Sequence, residues 1–262
     1  MFESKKALIV VRTYPTPAQK GLEVSCTAAI SDEGKWLRLF PVPYRYLEGE
    51  KRFRKYQWVE VEVEKASDPR LESYKIRPQS ICLLGDPLPT DDGWRVRRQI
   101  IEPMRGHCLC CLKVERFKYG FPTLGLIRPK EIKKLILKPQ SAEWTEAQLA
   151  ILGQRHLFED APAKELEKIP FAFKYEFVCD HPTCKGHTLS CTDWEMSESF
   201  RKWKIEYGAA WETAFRQKYE QELMRERDLQ FFVGTLKAHP AEWIIVGLFY
   251  PPKFAPLPLF GE

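Results

Sequence analysis

The sequence lacks any apolar run long enough to cross a bilayer, which takes roughly 18–20 residues. Its longest such run, Trp243 to Tyr250, is far shorter, so no membrane span or membrane partner is expected. The opening MFESKKALIVVRTYP has lysines and then only a few apolar residues before Arg12, without the apolar core and cleavage site of a secretory signal. The expectation is a cytoplasmic protein in a reducing compartment. Motifs that would name a reaction are also missing: there is no Gly-rich phosphate loop, no G-x-S-x-G turn and no dinucleotide fingerprint. No internal repeat of about 20–50 residues points to a solenoid or propeller. Whether the chain is an enzyme is left open.

What is present describes a chain with a real core. Of its 262 residues, 44% are hydrophobic and 29% charged, a globular composition with length for one large domain or two modest ones. The charge is unevenly placed. Residues 1–140 carry 27 Lys and Arg against 17 acids, whereas residues 141–262 carry 14 against 19. A basic half joined to an acidic half suggests that the first half meets a polyanion. The sign changes near Pro139-Gln140-Ser141, which suggests a boundary and two domains, 1–140 and 141–262.

Local patterns predict an α+β fold. Lys6 to Arg12 is a continuous apolar run suited to a strand buried on both faces. The runs Leu22–Ile30 and Lys35–Phe40, joined by Ser31-Asp32-Glu33-Gly34, read as a hairpin. Gln57 to Lys65 alternates cleanly, with Val59, Val61 and Val63 on one face and Glu60, Glu62 and Glu64 on the other, as on a solvated strand face. These short strands predict a basic, β-barrel-like first domain. In the second, an α/β domain, Thr145-x-x-Gln148 has the form of a capping box. Phe171–Cys179 reads as a strand. Phe200, Trp203, Tyr207, Trp211 and Phe215 form a helical core stripe, and the strands Leu229–Thr235 and Trp243–Tyr250 follow. The Pro-rich tail after Pro251 is expected at the surface.

Two segments suggest chemistry. The first is Cys179-x4-Cys184-x2-His187-x3-Cys191, four metal-binding side chains within 13 residues. Thiolates and imidazole suit tetrahedral Zn²⁺, and a closed Cys3His set is a structural site. Cys179-x4-Cys184 is also an iron–sulfur interval, and the upstream run His107-Cys108-Leu109-Cys110-Cys111 offers a further thiol, a redox pair or a buried turn. Cys26 and Cys82 read as core residues. Just beyond the cysteines, Asp193 and Glu195 are the candidate catalytic carboxylates of a metal-dependent nuclease, although Asp193 also sits where a helix cap belongs.

The second segment runs from Tyr44 to Tyr56. Arg45, Lys51, Arg52, Arg54 and Lys55 suit phosphate contacts, and Tyr46 and Tyr56 suit stacking on unpaired bases. The corresponding partner is single-stranded nucleic acid. A nucleic-acid-binding protein with a structural metal site is the leading reading; a metal-dependent nuclease or modifying enzyme and an iron–sulfur redox sensor are the alternatives.

The segment Cys179-x4-Cys184-Lys185-Gly186-His187-x5-Asp193-Trp194-Glu195 and the strand Ile244–Pro252, with Val11–Pro15 and Trp36–Pro41, resemble a bacterial family of hypothetical proteins. The opening hairpin, Cys26–Ile30 with Trp36–Pro41, also resembles those of OB-like and PUA-like nucleic-acid-binding barrels. That resemblance implies a barrel fold and no particular residue role.

Overall fold

β1 (Glu3–Arg12) is buried continuously from Ala7 to Val11, and the architecture explains why. The computed structural model describes residues 1–18, 23–153 and 165–253. After β1 come the two-residue β2 (Thr16–Pro17), β3 (Glu23–Ser31), β4 (Trp36–Val42), β5 (Trp58–Lys65), β6 (Ser73–Ile76) and β7 (Cys82–Leu84). The order β1-β3-β4-β6-β5 closes when β5 pairs back onto β1, giving a five-stranded barrel in the N-terminal half. The predicted hairpin is β3–β4, with Gly34 at φ +72° in its turn, where glycine pays no steric penalty. Val59, Val61 and Val63 point into the barrel and Glu60, Glu62 and Glu64 point outward.

The second half builds on a different sheet. α1 (Asp91–Ile101) and α2 (Leu109–Tyr119) precede β8 (Leu124–Ile127) and β9 (Glu131–Pro139). Then come α3 (Glu146–Gly153), β10 (Phe171–Val178), β11 (His187–Cys191), α4 (Trp194–Tyr207), α5 (Trp211–Arg216), β12 (Gln230–Thr235) and β13 (Trp243–Phe249). The sheet order is β8-β12-β13-β11-β10-β9. Thr145 and Gln148 exchange the two bonds of the capping box that starts α3. Gly208 interrupts the helical stripe, of which Phe200, Trp211 and Phe215 are buried against β10. The tail beyond Lys253 lies outside the described residues. A boundary near residue 140 does not coincide with the change of sheet, because β8 and β9 already belong to the second sheet. Among the described residues, no helix is long and apolar enough to cross a membrane.

The two sheets pack through β1. Ala7 and Ile9 face the barrel interior with Leu37, Leu39, Val59 and Val61. Leu8 and Val10 face the other way, onto Phe232, Val246 and Phe249 of the second sheet. A bulge between Ile9 and Val11 turns Val11 to that same outer side. Trp36 and Trp58, both partly buried, pack at this seam between the sheets. The approach is tight at Gly247 on β13, where an added Cβ would lie 2.8 Å from a Val11 methyl and 3.4 Å from the Asp193 carboxylate.

Val11 is short and β-branched and has little freedom to yield. Gly247→Ala should therefore destabilise the chain by about 1–3 kcal/mol through overpacking. In urea unfolding, Val11→Ala combined with Gly247→Ala should lose less than the sum of the two single losses. Strict additivity would show that the strands do not meet here.

Candidate metal centre

Three of the four ligands expected from the sequence come together, and the fourth comes from elsewhere. β10 and β11 are antiparallel neighbours with Phe177 opposite His187, so their connection, 179–186, must turn back over a short distance. It does so through a tight turn in which Cys184 N–H donates to the His181 carbonyl at 3.0 Å. Gly186 at φ +94° completes the return, a conformation that L side chains rarely adopt. The Cys184 sulfur accepts backbone N–H bonds from Cys179 at 3.2 Å and Gly186 at 3.4 Å. Burial opposes the thiolate there, but these two amides, together with the Cys110 and Cys179 side chains, outweigh it and hold the Cys184 thiol below the ordinary range.

The remaining thiol belongs to α2. Cys110 Sγ lies 3.2 Å from His187 Nε2, and Cys184 Sγ lies 3.5 Å from the same nitrogen. The ligand atoms of Cys110, Cys179, Cys184 and His187 all fall within 4.8 Å of one another. A tetrahedral ion with metal–sulfur bonds of about 2.3 Å holds its donors somewhat closer than that limit, so the set can close on one ion. The start of α2 also faces the site. The backbone amides of Leu109 and Cys110 are directed at Cys179, where they partly offset the burial that pushes its thiol upward. Burial lowers the His187 pKa, and Lys113 adds to that effect, which favours the neutral, ligating imidazole. Burial pushes the Cys110 thiol up to about 12 and the Cys111 thiol up to about 11. A cation at the centre would reverse the penalty on its ligands.

Cys191 is not part of this group, which corrects the expected ligand set. It sits four residues beyond His187 on β11, opposite Phe173, and a strand rises about 3.3 Å per residue. The two side chains therefore stand on the order of 13 Å apart along the strand. Cys191 is a core residue, 5% exposed. A spacing of four suits one helical face or a loop but not a strand. The fourth member of the group lies in the upstream cysteine run, 69 residues before Cys179, where the sequence signal was the cysteine cluster itself.

Asp193 and Glu195 do not join His187 in a hydrolytic centre. They lie beyond the far end of β11, with Asp193 capping α4. Asp193 Oδ1 accepts from Met196 N–H, and Oδ2 accepts from Leu248 N–H, both at 3.1 Å. Lys55, expected at a phosphate, crosses the seam instead. Its Nζ reaches Glu195 Oε2 at 3.2 Å, Asp193 Oδ2 at 3.5 Å and the Leu248 carbonyl at 2.8 Å, with the side chain only 8% exposed. Burial opposes the Lys55 charge, but the two carboxylates outweigh it and hold its pKa well above the ordinary value. Tyr56, expected to stack on a base, is buried at φ +65° against Trp94 and Phe249, with Arg97 over its ring at 4.2 Å. Both corrections have one cause: the segment ends inside the seam between the sheets.

The rest of the basic segment is largely engaged. Arg45 pairs with the fully buried Glu23 carboxylate at 2.7 Å, and Lys51 pairs with Glu48 at 2.7 Å. Arg52 Nε donates to the Leu47 carbonyl at 2.8 Å. Tyr46 is half-buried, while Arg52 and Arg54 are exposed.

Residues 107–261 match a family model described as Domain of unknown function (DUF8757). The chain belongs to that family. In this DUF8757 chain the matched stretch contains every residue of the Cys/His group. Residues 3–103, which hold the barrel, match a second model, Domain of unknown function (DUF8758). No curated protein matches. Among solved structures, a murine DNA-binding protein bound to double-stranded DNA aligns with a TM-score of 0.31 at 7% identity, over 97% of this chain and 98% of that one.

Two outcomes test the site. Purified protein should carry about one metal ion per chain; Cys110→Ser and Cys184→Ser should lose it, whereas Cys191→Ala should keep it with only a modest loss of stability. Retention of metal by Cys110→Ser together with its loss from Cys191→Ala would restore the ligand set read from the sequence. At the seam, Lys55→Met leaves the Asp193 charge buried and unpaired and should destabilise the chain by about 3–5 kcal/mol in denaturant unfolding. Adding Asp193→Asn should recover part of that loss.

Proposed function

We propose that the protein binds nucleic acid and that its Cys3His centre is a structural zinc site. The observation that carries the proposal is a basic groove beside the centre, with a volume of about 780 Å³. Arg105, Arg128, Lys130, Arg227 and Lys253 line it against three acids, Glu131, Asp180 and Asp228, with Asp180 the neighbour of Cys179. Arg128 pairs with Asp228 at 2.7 Å and Lys130 with Asp180 at 3.4 Å, and both cationic side chains are more than half exposed. The Lys130–Asp180 pair is exposed on both sides and contributes little, so a phosphate can take over that cation. Asp228 is buried and keeps Arg98 at 3.5 Å when Arg128 turns to a ligand. Arg52 and Arg54 supply further exposed cations for the same polyanion.

The preference for single strands rests on α2. The helix begins at the Cys/His centre and ends in exposed rings: Phe117 is 95% exposed, and Tyr119, with Phe121 just beyond the helix, is about half exposed. Arg116 and Lys118 alternate with those rings in sequence. Aromatic rings among cations favour unpaired bases over duplex. Anchoring the first turn of α2 to a metal gives this platform a fixed base.

Zinc is preferred to an iron–sulfur cluster because the donors gather around one point. A cluster of several irons holds its thiolates farther apart, with inorganic sulfide between them. The protein as purified should be colourless and contain zinc; a brown solution absorbing in the visible would assign the site to iron and sulfur.

Binding is tested by fluorescence anisotropy with single-stranded and duplex oligonucleotides across a salt series. Single strands should bind more tightly, with a salt slope of roughly −0.7 per phosphate contact. Replacing Arg128 and Lys130 together by Gln should flatten that slope by about 1–1.5, whatever the base sequence. Phe117→Ala should cost about 1–3 kcal/mol on single strands and leave the slope nearly unchanged. If no nucleic acid binds at low salt, or neither variant alters binding, the groove and platform serve something else.

A further inference from the structure

The Cys/His centre uses one of the three cysteines at the start of α2. The other two face each other. Cys108 Sγ and Cys111 Sγ lie 2.8 Å apart, well inside the separation of two sulfurs in ordinary contact. Neither belongs to the Cys110, Cys179, Cys184 and His187 group. Cys108 is the N-cap of α2, and its sulfur accepts from Cys111 N–H at 3.1 Å. Cys-x-x-Cys at a helix N-terminus is a spacing that disulfide oxidoreductases use, and here the cap sulfur and the Cys111 sulfur are already in contact.

From this geometry we infer that Cys108 and Cys111 form a reversible dithiol–disulfide centre, separate from the metal site and wrapped around its ligand Cys110. The oxidant is a low-molecular-weight disulfide such as glutathione disulfide. Cys111 is the more accessible of the pair, since Cys108 is 1% exposed. The Cys111 thiolate attacks one sulfur of the oxidant, forming a mixed disulfide and expelling one thiolate. The Cys108 thiolate then attacks the Cys111 sulfur and expels the second. Two protein thiols are oxidised, one small disulfide is reduced to two thiols, and the two protein thiol protons pass to those products. An excess of the small thiol reverses both steps.

Cys110 lies between the partners on the first turn but points elsewhere, toward His187. Its thiolate is committed to the metal when the site is filled, which leaves the flanking pair as the dithiol free to exchange. This assignment does not depend on nucleic-acid binding.

The test uses the full chain with its metal bound, equilibrated for long periods in buffers of varied glutathione and glutathione disulfide, then alkylated and mapped by mass spectrometry. The expected result is the loss of two alkylatable thiols, assigned to a Cys108–Cys111 disulfide, with metal content unchanged at one ion per chain. Cys108→Ser keeps a good helix cap and should retain the metal while forming no intramolecular disulfide; Cys111→Ser should do the same. The inference is overturned if Cys108 and Cys111 stay fully alkylatable in oxidising buffer. It is equally overturned if metal leaves in step with oxidation and the disulfide maps to Cys110, Cys179 or Cys184.

Discussion

Burial of one face of β1 against the second sheet is the constraint on which the remaining structure depends. A barrel this small covers its inner face with its own side chains and leaves its outer face to be covered by something else. Here Leu8, Val10 and Val11 meet Phe232, Val246 and Phe249, and the approach is close enough for Gly247 to be the only small residue that fits under Val11. Once those strands are in place, Asp193 can receive the Leu248 amide, and Lys55 can reach it from the barrel side. The buried ion pair is therefore a consequence of the packing. It adds specificity of register between the sheets, because Lys55 on the barrel side meets Asp193 and Glu195 only when the strands are in place.

The same packing fixes which charges remain for a ligand. A dense cationic segment such as 44–56 reads as a binding surface only while its position in the fold is unknown. Glu23, Glu48, Asp193 and Glu195 take up Arg45, Lys51 and Lys55. Cations spaced widely along the chain, Arg105, Arg128, Arg227 and Lys253, meet in one groove instead. A polyanion responds to local charge in three dimensions, and only the fold sets that density.

The Cys/His centre links parts of the chain that the sheet alone does not join. The turn between β10 and β11 supplies Cys179, Cys184 and His187, and α2 supplies Cys110. A metal ion held there would tie a helix to a strand turn, and its binding energy would be part of the folding free energy of this half. The thiols at 108 and 111 share the helical turn with Cys110 without belonging to its group.

By itself the sequence determined the strands whose side chains alternate, the β3–β4 hairpin, the capping box of α3, the core stripe of α4 and α5 and the presence of a Cys/His site. All of these are local: they follow from spacing, turn residues and apolar periodicity within about ten residues. The tertiary structure alone decided that β8 and β9 join the second sheet, that Cys110 takes the place expected for Cys191, and that Lys55 and Tyr56 are interior. Each of these depends on which distant segment lies opposite. Cys191 shows the reason most plainly: along the chain it is as near to His187 as a ligand should be, but the extended backbone of β11 carries it about 13 Å away while a helix far upstream brings another thiol to the imidazole.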